Sequence, residues 1–156
     1  MSEREMYKKI KTAIILLFGC FTLLGCDNKV SDPTLKKMLA TKRDQLARLV
    51  QMANEDRHIT RIDFDYSSST LPTQHWNEYR SLFREVGIKS GLARSEDFPA
   101  VIFFWVDCSG SALDMDCKGL AYSETPPSHF KNRLDYAPGV FFEPVSGEWY
   151  LFRDVR

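Results

Sequence analysis

The chain has 156 residues, 44% hydrophobic and 27% charged, which indicates a single globular domain and excludes a disordered chain. Its 21 basic and 21 acidic residues cancel. Four of those bases and two of those acids lie in the first 25 residues, which leaves 17 and 19 for the rest. Neutralising phosphates requires a clustered basic surface, and no basic cluster is present, so we expect no nucleic-acid partner.

An uncharged apolar run of thirteen residues, Thr12 to Leu24, follows a stretch that contains three lysines. A stable transmembrane helix needs about 20 apolar residues, so this run is too short to span a bilayer and has the length of a signal-peptide core. We therefore expect residues 1–25 to be a cleaved signal peptide. Met6 is an alternative start, and using it would leave the mature protein unchanged.

The next feature along the chain is the tetrapeptide Leu23-Leu24-Gly25-Cys26. An aliphatic residue, a tolerant position, a small residue and a cysteine in this order resemble the lipobox of bacterial lipoproteins. The resemblance implies cleavage between Gly25 and Cys26, a diacylglycerol on the Cys26 thiol, and an acyl group such as palmitate on the new amino terminus. Two or more acyl chains anchor stably, so the lipid bilayer is the expected partner of Cys26. The alternative is an uncleaved N-terminal anchor helix with an incidental cysteine.

The two residues after the cysteine, Asp27 and Asn28, bear on location. The pair resembles the signal of enterobacterial lipoproteins that avoids sorting to the outer membrane, which is an Asp directly after the cysteine, strengthened by a following Asn. The pair therefore favours the periplasmic face of the inner membrane. Residues 26–33 are expected to form the lipidated cysteine and a polar tether with a reach of about 20 Å, and residues 34–156 a single globular domain.

The first half of the mature chain predicts two helices and a strand. Apolar residues at helical spacing predict a helix over residues 34–56 and a second one from Thr73, as a capping residue, to about Val86, ended by Gly87. Between the helices, alternation at Ile62, Phe64 and Tyr66 predicts a half-buried strand. The spacing of the large side chains in the second helix indicates that it packs on a sheet.

The second half predicts further strands. After a loop through Ser90 and Pro99, the apolar run Ala100 to Val106 indicates a central strand, and a hairpin leads to a partner strand at 118–123. A short helix is predicted at 128–134, and two more strands at 139–143 and 148–153. The fold class is therefore α+β: an antiparallel sheet of four to five strands with two longer helices packed on it.

Two cysteines remain once Cys20 is removed with the signal peptide and Cys26 is lipidated: Cys108 and Cys117. In an exported domain a remaining pair is expected to oxidise, and this disulfide would staple the base of the hairpin. The loop it closes gives a stabilisation of about 2.7 kcal/mol in the chain-entropy model. A redox or metal-binding pair is the alternative, although redox motifs favour Cys-x-x-Cys and zinc requires more ligands.

Residues with catalytic potential are scattered along the sequence. Three histidines, at positions 58, 75 and 129, lack metal-ligand spacing and are expected at the surface. Asp63 and Asp65 share the polar face of a strand, an arrangement that invites an acid/base or metal interpretation but usually only faces water. Acidic residues around the hairpin tip, Asp107, Asp114 and Asp116, could bind calcium but lack the alternating ligand pattern of known loops, so a solvated tip is favoured. We expect no enzyme activity and no cofactor.

The C-terminal half is rich in large apolar side chains. Two helices are not expected to cover all of them. This excess predicts a protein-binding patch, which would include Trp105, Phe142, Trp149 and Tyr150. Loops covering the same residues are the alternative. The leading functional hypothesis is a membrane-anchored binding module, similar in general build to immunity proteins that neutralise a toxin acting in the periplasm. A factor for assembly or maintenance of the cell envelope and an enzyme are the other hypotheses.

Overall fold

The computed structural model describes residues 29–65, 71–111, 114–127 and 139–155. Several features of the sequence lie outside these ranges: the signal peptide with Cys20, the lipobox with Cys26, the Asp27-Asn28 pair, Tyr66 and the predicted helix at 128–134 with His129. None of the helices in the described ranges combines the length and the hydrophobicity needed to cross a membrane.

The first helical region consists of two helices, α1 (Asp32–Thr41) and α2 (Arg43–Glu55), where the sequence predicted one. Lys42 separates them with a non-helical backbone (φ −124°, ψ 27°). It donates to the carbonyl of Met38 and accepts from the amide of Leu46, so it ends one helix and begins the next. Neither proline nor glycine marks this break. The spacing of the apolar residues therefore predicted a single helix through Lys42.

Helix α3 (Thr73–Val86) confirms the second predicted helix. Gly87 ends it in the left-handed conformation (φ 95°), as the sequence predicted. Its start differs from the prediction, because Thr73 is the first helical residue. Pro72 occupies the capping position, and no side-chain capping hydrogen bond forms there. The fixed φ of proline suits the start of a helix.

A six-stranded antiparallel sheet confirms the α+β class and corrects the predicted number of four to five strands. The spatial order is β1-β2-β3-β4-β6-β5. The strands are β1 (Arg61–Ile62), β2 (Gly91–Ser95), β3 (Phe98–Ser111), β4 (Asp114–Tyr122), β5 (Gly139–Ser146) and β6 (Trp149–Val155).

The largest departures from the predicted strands occur around β2, in a stretch predicted as loop. Gly91 has a positive φ of 98°, and a Cβ on it would lie 2.1 Å from the carbonyl oxygen of Ile62, so only glycine allows β1 to approach this closely. The sequence GLARS has no alternation that would reveal a strand. Strand β3 begins before Pro99, beside an irregularity in β2 where a strand proline is tolerated.

The helices pack on one face of the sheet, which we call the helix face. Its core contains Leu35, Leu46, Tyr79 and Phe83 from the helices and Phe104 from the sheet, all almost completely buried. The opposite face, which we call the second face, carries a separate cluster contributed by strands alone: Val101, Phe103, Ala121, Phe142, Tyr150 and Phe152. Aromatic rings pack on one another there, with the Phe103 and Phe152 centroids 5.0 Å apart.

The two ends of the sheet differ in their connections. At one end, called the hairpin end, lie residues 107–111 of β3, 114–118 of β4 and 153–155 of β6. At the opposite end lie the β2–β3 and β5–β6 turns. We call it the acidic end because exposed carboxylates flank its turns and the end of β4: Glu96, Asp97, Glu124 and Glu148.

Candidate functional site

A cluster of charged side chains continues the helix face at the hairpin end. Register places Asp107 opposite Lys118, and Lys118 opposite Arg153 on the next strand. Ser109 and Asp116 form the next pair in the direction of the hairpin tip. Because side chains alternate across a sheet, these five residues share the face that buries Leu120 further along β4. The face therefore changes from apolar to charged at this end of the sheet.

The start of the described chain is fastened to this cluster. The amide of Val30 donates to Asp107 Oδ2 at 2.9 Å, and Lys29 Nζ lies 3.0 Å from Asp116 Oδ2. Asp32, the first residue of α1, forms an ion pair with Lys118. Val30 also packs against the apolar core of the helix face. Lys29, the first described residue, thus already contacts the domain, within the stretch that the sequence predicted as a tether.

Asp116 is the electrostatic centre of the cluster. Arg153 donates to it twice, from Nε to Oδ1 at 3.0 Å and from Nη2 to Oδ2 at 2.6 Å. These two bonds, assisted by the bond from Lys29, lower the pKa of the Asp116 carboxyl to about 2, although partial burial opposes the shift. Asp116 therefore stays ionised and paired throughout the physiological pH range.

A pocket of about 150 Å³ opens among these charged side chains, between Lys29, Ser109, Lys118 and Arg153. The sequence offered calcium binding or a solvated tip for the acidic residues of this hairpin. Asp107 and Asp116 instead accept hydrogen bonds from the entering chain and from Arg153. In the part of the chain that the structure describes, no three acidic, histidine or cysteine side chains are grouped to hold a metal. The side chain of Asp114, the third of these acidic residues, is not among those that the structure describes.

Cys108 and Cys117 face each other on the second face of the same hairpin. They are directly paired across β3 and β4, with Cα atoms 4.1 Å apart and the sulfur atoms at disulfide distance. The pair closes the strands on the side opposite Asp107 and Asp116. The hairpin end is thus cross-linked by a disulfide on one face and by ion pairs on the other.

The four aromatic residues predicted as one binding patch do not form one. Trp149 and Tyr150 are consecutive on β6, so their side chains point to opposite faces; Trp149 joins the helix-face core and Tyr150 the second face. Phe142 packs against Tyr150 with ring centroids 6.4 Å apart. These three side chains are at most 6% exposed, and only Trp105 is half-buried.

Trp105 and Arg61 form an accessible pair near the edge of the second face. The Arg61 guanidinium lies 4.9 Å from the centre of the Trp105 ring, within the range of a cation–π interaction. Arg61 also donates to Asp63 Oδ1 at 2.7 Å, which fixes the guanidinium over the ring. Asp63 is thus engaged in an ion pair, and both Asp63 and the exposed Asp65 lie beyond the end of β1, which spans only Arg61–Ile62.

A buried polar cluster between α2 and α3 was not predicted from the sequence. The Tyr79 hydroxyl donates to Asp56 Oδ2 at 2.9 Å, and His75 Nδ1 lies 3.3 Å from the same oxygen. Burial, together with the bond to Asp56, raises the pKa of Tyr79. His75 is thus half-buried, contrary to the surface position predicted, whereas His58 is exposed as expected. The cluster links the end of α2 to α3.

The sequence offered few signals for these sites. Asp107 and Asp116 stood out as acidic residues of a hairpin, but their partners Lys29 and Arg153 are far away in the chain. The helical spacing of His75 and Tyr79 placed them on one helix face, and nothing local pointed to Asp56.

Comparison of the chain with models of known protein families, with curated proteins and with solved structures finds no match in any of the three.

Proposed function

We propose that this protein is a lipid-anchored module that holds another protein at the periplasmic face of the inner membrane. The observation that carries the proposal is the fastening of Lys29 and Val30 to the hairpin end. A domain fixed to its own chain three residues after Cys26 is presented close to the bilayer. The sequence features that support the address are the lipobox and the Asp27-Asn28 pair.

Substitution of the cysteine tests the anchor. Cys26→Ser removes the thiol that receives the diacylglycerol, so we expect the protein to leave the membrane fraction or to remain as the uncleaved precursor. Cys20→Ser is the matched control, because it removes a thiol from the segment that is discarded. Unchanged cleavage and membrane partition of Cys26→Ser would refute the anchor.

The Arg61–Trp105 pair is the surface feature that best suits a protein partner. Tryptophan and arginine are enriched among residues that dominate binding energy in interfaces, particularly where their side chains are held in place before binding. Here the ring is half-buried and the guanidinium is fixed by Asp63. The pair therefore offers a preorganised aromatic and cationic contact.

Affinity capture of the lipidated protein from membranes tests this surface. We expect a stoichiometric protein to be captured with the wild-type chain and to be lost with Trp105→Ala. Tyr122→Ala is the matched control, because Tyr122 is also a half-buried aromatic residue but packs against Trp149 at the acidic end of the sheet. Capture of no stoichiometric protein, or equal loss with both variants, would contradict the proposal.

A further inference from the structure

The distance between the lipid attachment point and the domain is limited by covalent geometry. Three residue steps separate Cys26 from Lys29, so their Cα atoms lie at most about 11 Å apart even in a fully extended chain. Lys29 contacts Asp116 and Val30 contacts Asp107, which are both at the hairpin end. A lipid on Cys26 therefore keeps the hairpin end near the bilayer surface.

We infer that the domain has a fixed orientation, in which the hairpin end rests against the lipid headgroups and the acidic end points away from the membrane. This inference rests on the proposed lipidation of Cys26. The partner of the hairpin end is thus the bilayer surface itself.

The contacts of the entering chain restrain rotation as well as distance. Three residues within a stretch of four make these contacts: Lys29 and Asp32 form ion pairs, and Val30 donates a hydrogen bond and packs on the core. A flexible tether would let the domain turn any side towards the bilayer, whereas a chain held by four contacts at three closely spaced residues enters in one direction. Helix α1 follows at once, because Ser31 caps it.

The distribution of charge favours the same orientation. Cytoplasmic-membrane lipids include anionic species, whose surface potential acts on charges within a Debye length of roughly 8–10 Å. At the hairpin end the charged side chains are paired with one another, Asp116 with Arg153 and Lys29, and Asp32 with Lys118, so this end carries no group of unpaired carboxylates among them that the surface would repel. The four exposed carboxylates of the acidic end would be repelled by the same surface.

The two ends are far enough apart to be distinguished by a short-range probe. Twelve residues of extended chain separate Asp97 from Ser109, which corresponds to roughly 40 Å at about 3.3 Å per residue. Both Ser109 and Glu96 are exposed, so either position tolerates a large reporter side chain.

A lipid-crosslinking experiment tests the orientation. The full chain is produced in cells with a benzophenone amino acid at position 109 or 96, purified with its lipid, and placed in vesicles of phosphatidylethanolamine and phosphatidylglycerol. After illumination we expect several-fold more lipid adduct from the reporter at position 109. Equal adduct at the two positions, or more at position 96, would overturn the inference.

A second part of the experiment removes the side chains that hold the entering chain. Asp107→Ala combined with Asp116→Ala should lower the adduct at position 109 towards that at position 96, while Asp44→Ala combined with Asp65→Ala should leave it unchanged. If the amount of lipid adduct at position 109 stays the same after both aspartates are replaced, the contacts of Lys29 and Val30 do not orient the domain. The mass of the N-terminal peptide is measured in every sample. Unmodified Cys26 overturns both the proposed function and the inference, whereas lipidated Cys26 with equal adducts overturns the orientation alone.

Discussion

The hairpin end of the sheet is joined to its own entering chain through ion pairs and a hydrogen bond, and a disulfide links its two strands. The acidic end, in contrast, consists of turns with four exposed carboxylates. Both ends belong to the same strands, and β3 runs the whole distance between them. At the hairpin end Asp116 is bonded to Arg153 and Lys29; within the described residues the acidic end has no ion pair comparable to these. Replacing the paired charges or the cysteines of the hairpin end should therefore lower the free energy of unfolding, whereas replacing the exposed carboxylates of the acidic end should leave it nearly unchanged.

Loss of the disulfide is expected to have the largest effect. Replacing Cys108 and Cys117 together by serine removes the cross-link of the hairpin, which should lower the free energy of unfolding by about 2–3 kcal/mol because the unfolded chain gains entropy. Urea unfolding at neutral pH measures the loss. The wild-type protein with a reductant should show the same loss, and identical curves with and without reductant would contradict a formed disulfide.

Asp116→Asn should have the next largest effect, about 1–2 kcal/mol at neutral pH after allowance for the solvent exposure of its partners. The pKa of Asp116 is lower in the folded protein, at about 2, than the ordinary value of 3.8. Its contribution is therefore present above the ordinary value and is lost as the pH falls from about 4 towards 2. Unfolding measured at several pH values should show the two proteins converging in that range. A difference that stays constant down to pH 3 would contradict the ion-pair origin.

Asp107→Ala should cost about 1 kcal/mol, because the half-buried amide of Val30 loses its acceptor. Hydrogen exchange at Val30 reports the change directly and should accelerate. Asp107→Asn is the matched control, since its amide oxygen can still accept. If Val30 exchanges equally fast in the wild type, the chain is not fastened there.

Glu148→Gln at the acidic end should change the free energy of unfolding by less than about 0.5 kcal/mol. It has a spectroscopic consequence, because burial and the charges of Glu124 and Glu148 raise the pKa of Tyr122. Removing one of these charges should lower that pKa, which ultraviolet titration of the tyrosines can detect. A stability loss as large as that of Asp116→Asn would remove the contrast between the ends.

The sequence predicted the features that depend on local pattern. Helix α3 and its Gly87 terminus follow from periodicity and a left-handed glycine, and the central strand β3 follows from its apolar run. The strand β2 was missed because its role depends on Gly91, which allows contact with a strand about 30 residues earlier. The break at Lys42 has no local signal.

The predicted patch shows a different failure. Its residues were grouped by size, although the two-residue period of a strand already separates Trp149 from Tyr150. The polar cluster at the hairpin end could not be predicted, because its partners Lys29, Asp116 and Arg153 meet only once the sheet has formed. The sequence predicted the hairpin and its cysteine pair, whereas the tertiary fold determines which side chains meet the acidic residues of that hairpin.

The mass of the N-terminal peptide of the protein extracted from membranes is the most direct test of the account. We predict that the mature chain begins at Cys26 and that this residue carries a diacylglycerol and an amino-terminal acyl group. A chain that begins at Met1 or Met6, or one that begins at an unmodified Cys26, would contradict it.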